Sequence, residues 1–135
     1  MSTIDMTEGL AKGSLGSEIT GGQIADRLDN IVIIENRIIN DSSFLLGFPK
    51  SGDIAYRLLV NKSCNLSIEP GRQGLLQRMT IILQQSSDGN CDVDFETSVN
   101  WQGRQPFIDT RAGAVTIVEI LFDGMDNYYG RLIYG

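Results

Sequence analysis

The stretch IAYRLLVNKSCNLSI, residues 54–68, decides the fold class. Ile54, Tyr56, Leu58 and Val60 occupy alternate positions, and the same period returns in Cys64, Leu66 and Ile68. Apolar residues two apart share one face of a pleated strand, so the stretch predicts two half-buried strands that pair as antiparallel neighbours. Downstream, Pro70-Gly71 signals a turn, followed by a loop through Arg72-Gln73-Gly74. Met79, Ile81 and Leu83 then alternate, Ser87-Asp88-Gly89-Asn90 supplies turn chemistry, and Cys91, Val93 and Phe95 resume on one face. That order predicts a β-hairpin. Residues 114–122 are apolar on both faces, with Val115, Ile117 and Leu121 opposite Val118, Ile120 and Phe122, as expected of a central strand. Asp123-Gly124 then turns the chain into a last strand at Tyr128–Tyr134. Short strands at regular spacing, without long helical periodicity between them, predict a mainly β fold. Residues 41–135 read as an antiparallel β-sandwich or jelly-roll-like domain.

Upstream the pattern changes. Residues 1–19 hold Gly9, Gly13 and Gly16 among Ser and Thr with little apolar periodicity, which predicts a flexible or extended N-terminal arm. Residues 20–40 read as a short oligomerisation segment. Thr20 offers a capping hydroxyl and Gln23 its reciprocal partner, so a short helix can begin there. Ile24, Leu28 and Ile31, continuing less cleanly to Ile34 or Ile38, form the stripe of such a helix or of a trimeric coiled coil. The β-branched runs Ile31–Ile34 and Ile38-Ile39 favour a strand instead, which puts the switch from helix to strand near Asp29-Asn30.

The 135 residues suit one domain, which buries about 65–70% of the surface its unfolded chain exposes. With 41% hydrophobic and 21% charged residues the chain has an ordinary globular composition. A net charge of −6 argues against nucleic acid, whose phosphates call for a surplus of Lys and Arg. The longest apolar runs are too short to span a bilayer, and the N-terminus has no basic start or apolar signal region. No membrane insertion and no signal peptide are therefore expected, and synthesis in a cytoplasm is.

Without histidine the chain lacks the commonest general base and any Ser-His or Cys-His nucleophile. Cys64 and Cys91 lack metal-ligand spacing and read as small buried hydrophobes, a disulfide being the alternative. Asp88, Asn90 and Asp92 have the opening spacing of a calcium loop, but Val93 and Val99 stand where its Gly and Glu belong. Asp92, Asp94 and Glu96 alternate with apolar residues, so they read as a solvated strand face rather than a glycosidase pair. The expectation is a non-enzyme with no catalytic residue, metal or cofactor.

From Tyr56 to Tyr134 the order of motifs resembles the small β domains of tailed-phage tail fibres and related tail proteins. The resemblance lies in a strand ending at Gln84-Gln85, the Asp88-Gly89-Asn90 turn, Val93 and Phe95, and Val99-Asn100-Trp101-Gln102-Gly103 with Pro106 behind it. Thr110-Arg111-Ala112-Gly113-Ala114, the Val118–Phe122 strand, Asp123-Gly124 and Tyr129-Gly130 complete it. It implies a structural or receptor-facing virion domain, commonly a homotrimer, in a tail fibre, adhesin or baseplate. Its N-terminal arm would join other virion proteins and its outer surface would meet a host receptor or glycan. A capsid decoration protein that clamps shell subunits is the alternative. Trp101 is a candidate contact as a sugar-stacking ring, against the plainer reading that it packs on the core. Tyr128 and Tyr129 point to opposite faces of one strand, so one packs and the other is free for a receptor or a subunit interface.

Overall fold

Each alternating run of the sequence forms a strand, but most of the strands stack in parallel instead of folding back as hairpins. The computed structural model describes residues 32–135. The arm expected at 1–19, the helix expected from Thr20, and the stripe residues Ile24, Leu28 and Ile31 lie outside the described residues.

Among the described residues nine strands follow one another: β1 (Ile33–Ile39), β2 (Ser43–Leu46), β3 (Ile54–Val60), β4 (Cys64–Ile68), β5 (Gln77–Gln85), β6 (Val93–Phe95), β7 (Asn100–Trp101), β8 (Val115–Phe122) and β9 (Tyr128–Tyr134). They form a six-stranded sheet, in the order β1-β3-β5-β8-β9-β7, and a three-stranded sheet, β2-β4-β6. No helix occurs among the described residues. The fold is mainly β with mixed sheets, and the arrangement is solenoid-like.

The chain steps to the second sheet and back on every circuit. β1, β3 and β5 are parallel and in register, so that Ile33 lies beside Ile54 and Ile54 beside Met79. β2, β4 and β6 repeat the relation in the smaller sheet, with Phe44 beside Leu66 and Leu66 beside Phe95. Between the parallel neighbours of these two sets the crossover that such pairing requires is a strand of the other sheet. The two strands of residues 54–68 are therefore members of different sheets, not antiparallel neighbours. Asn90 and Gly89 do take the left-handed backbone of a turn, with φ of 59° and 64°. That turn leads from β5 across to β6 rather than into a hairpin. The antiparallel sandwich or jelly roll expected from the sequence is corrected accordingly. Among the described residues antiparallel pairing is confined to β5 with β8 and β8 with β9, and β8 and β9 form the hairpin expected at Asp123-Gly124.

One core fills the interior. Ile54, Leu58, Val60, Leu66, Met79, Ile81, Leu83, Val118, Ile120 and Phe122 are buried within it. Phe122 lies between Phe48 and Tyr128, with ring centroids 5.8 and 5.6 Å away. Buried polar groups brace the corners where the chain changes sheet. Gln77 accepts from Arg72 N at 2.9 Å and donates to the carbonyls of Pro49 and Gly52 at 2.9 and 3.0 Å. At the other end of β5, Gln85 donates to Cys91 O at 2.8 Å and accepts from Cys91 N at 3.1 Å. The Tyr56 hydroxyl accepts from Gly47 N and donates to Gly47 O. Such corners have no ladder partner for their backbone groups, and side chains supply one.

Candidate functional site

Period two along β1 puts Ile33, Glu35 and Arg37 on the side of buried Ile39, and Ile34, Asn36 and Ile38 on the other. Ile33 is 69% exposed and Ile38 59%, with Val32 and Ile34 also exposed. Neither face of this strand is fully covered by the rest of the described domain. β1 stands at one end of the six-stranded sheet, with β3 on one side and no strand among the described residues on the other. Of the stripe residues read from the sequence, only Ile38 and its alternative Ile34 lie among the described residues.

The opposite end of the sheet is formed by β8, β9 and the short β7. Asn100 lies beside Tyr129 and Trp101 beside Gly130. Gly130 faces Ile120, which is buried, so Trp101 belongs to the row that looks toward the core. Its ring meets Phe95 edge-on at 5.0 Å between centroids and lies against the backbone at Gly130. The rows on either side of the Ile120–Gly130 pair, Leu121 with Tyr129 and Glu119 with Arg131, point to the outer face. The two tyrosines separate: Tyr128 is 7% exposed and Tyr129 46%. Tyr128 places its hydroxyl near Ile68 O, and burial pushes that hydroxyl's pKa up.

Asn100, Trp101, Gln102, Leu121, Tyr129 and the Glu119–Arg131 pair border a shallow cleft of about 340 Å³. Arg131 Nε donates to Glu119 Oε1 at 2.9 Å, and Asn100 Nδ2 to Tyr128 O at 3.2 Å. The structure thus brings Trp101 and Tyr129 to one cleft and keeps Tyr128 out of it. Asn100, Gln102, Leu121, Glu119 and Arg131 were not singled out as site residues in the sequence. Glu119 is the one charged residue of β8, which is the signal that pointed to it.

The acidic residues read as a solvated face, Asp92, Asp94 and Glu96, are all exposed. Glu96 accepts from Ser67 Oγ at 3.0 Å. Cys64 and Cys91 are buried free thiols, and burial, with Asp41 adding to it, pushes the Cys64 thiol up. In the loop before β8 the Arg111 side chain and backbone N–H both donate to Asp109, whose carboxyl is held down at about 2. Asp123 is lowered by donation first from Met125 N and also from Asn127, which fixes the β8–β9 turn.

No curated protein and no solved structure matches the chain. A family profile does, over residues 49–127, more than half of the chain; it is described as "Putative phage tail fibre C-terminal domain". The match covers β3 to β8 and runs into the β8–β9 turn. A domain of this kind is carried in the virion and associates with other virion proteins, which gives the chain a structural role in the phage tail. The chain belongs to the family of phage tail fibre C-terminal domains.

Proposed function

We propose that the chain is a non-enzymatic, homotrimeric tail-fibre component, made in the host cytoplasm, that joins the particle through its N-terminal region and meets the host surface through its β domain. The observation that supports assembly is the β1 margin. Ile33, Ile34 and Ile38 present apolar surface on both faces of an end strand, a liability that proteins ordinarily cover or blunt with charge. Three copies that bury these margins against one another account for it. Contact with the host is assigned to the β7–β9 margin. It stands at the far end of the sheet from β1 and so stays clear of such an interface.

The family match favours the tail over the capsid shell. Immunogold labelling of intact virions with antibody to this chain tests the location. Gold on the tail fibres is the expected result, and gold over the capsid would overturn the reading in favour of a decoration protein.

A further inference from the structure

We propose that the cleft bordered by β7, β8 and β9 is a saccharide site, and that it takes an uncharged pyranose. The inference rests on the host-contact reading above and names the chemistry that contact would use. Tyr129 offers a half-exposed ring on the outer face with Leu121 beside it, an apolar floor that suits the C–H face of a sugar. Planar polar groups surround that floor. The Arg131 guanidinium and the Glu119 carboxylate hold each other through one bond at 2.9 Å, which leaves further N–H donors and a second carboxylate oxygen in place. Asn100 is anchored through its Nδ2 on Tyr128 O, and its Oδ1 accepts no bond among the described residues. Gln102 is exposed at the rim. Amide, guanidinium and carboxylate planes each meet adjacent hydroxyls two at a time, and a few such groups converging on an apolar surface are what fix a small ligand.

Charge decides between sugar classes. Among the described residues the one cation of the cleft, Arg131, is already paired with Glu119, and the chain carries a net charge of −6. An acidic sugar or a phosphate would meet no free cation there and an unfavourable overall field. At about 340 Å³ the space is at the small end for a ligand pocket, which fits one ring at the end of a glycan rather than a long stretch of polymer.

Because the Trp101 ring packs on Phe95 and Gly130 toward the core, occupancy is read from ligand-observed NMR rather than from tryptophan emission. The full-length chain is titrated with the methyl glycosides of glucose, galactose, mannose and N-acetylglucosamine, and with N-acetylneuraminic acid. At least one neutral glycoside should give a saturable change at millimolar concentration, and the acid none. Tyr129→Ala, at an exposed position and with an unchanged circular dichroism spectrum, should weaken that binding about fivefold to tenfold. No saturable change with any neutral glycoside, tighter binding of the acid, or a Tyr129→Ala chain that binds as well as wild type would each overturn the proposal. Blocking of virion adsorption by the purified chain is scored separately. A chain that blocks adsorption but binds no glycoside defeats the saccharide assignment alone, whereas one that binds a glycoside without blocking defeats the host-contact reading and leaves the site standing.

Discussion

A methyl group added at Gly130 would lie 2.6 and 2.7 Å from two carbons of the Trp101 ring and 2.8 Å from Val99 Cγ1. Glycine there lets an indole rest directly on a strand backbone, and that contact seats β7 against β9. Gly130→Ala should destabilise the domain by about 1–3 kcal/mol, the usual cost of overpacking. Chemical denaturation followed by Trp101 emission measures both the loss and the altered surroundings of the ring. Asp109 gives a second test at this scale, through pH. Its folded pKa of about 2 lies below the unfolded carboxylate value of about 4. The stabilisation is therefore present above the unfolded value and is lost as pH falls through the folded one. The melting temperature should drop between pH of about 4 and about 2. Asp109→Asn should flatten part of that drop, and thermal melts of the two chains across the window compare them. Cys64 and Cys91, both buried, should resist iodoacetamide in the native chain and react fully once it is unfolded, as mass spectrometry will record.

At the scale of the element, β5 shows how a parallel stack is held at its corners. Gln77 and Gln85 sit on its inward face at either end and carry the hydrogen bonds of the loops before and after it. Gln77→Leu removes three hydrogen bonds to part-buried backbone groups, with an expected cost of about 1–3 kcal/mol. Gln84→Leu, a residue on the outer face, should change stability by less than about 0.5 kcal/mol. Urea unfolding of the two variants makes the comparison, and equal losses would remove the bracing account. The same strand shows what was legible beforehand. Met79, Ile81 and Leu83 alternate in the sequence and are buried in the structure, as are Ile54, Tyr56, Leu58 and Val60 of β3. Alternation reports that one face of a strand is buried and says nothing about which strand lies alongside. Parallel sheets usually bury both faces and read as continuous apolar runs, so one-sided runs such as 54–60 read as antiparallel. In a solenoid-like stack the parallel strands have one face inward and one outward, and that expectation fails. Gln77 gave no sign of burial because its partners, Pro49 and Gly52, are brought to it only by the crossover. At the cleft, Tyr129 and Trp101 were legible as aromatics, but Glu119 and Arg131 meet only through the β8–β9 register.

For the whole molecule, the two proposed surfaces fall at opposite ends of the six-stranded sheet. β1 presents the apolar margin proposed for assembly, and β7 to β9 the polar cleft proposed for contact, with β3 and β5 between them. A trimer arranged in this way turns three clefts outward, so that a weak saccharide contact at each is multiplied by simultaneous engagement. The arrangement predicts that assembly and ligand binding separate by mutation. Ile34→Asp with Ile38→Asp should dissociate the oligomer without abolishing glycoside binding.

The native mass of the full chain at micromolar concentration, by light scattering after size exclusion, tests the central claim most directly. One chain weighs 14.9 kDa. The account predicts three times that mass for the wild type and a single-chain mass for the doubly substituted protein. A wild-type chain that runs as a monomer would contradict it.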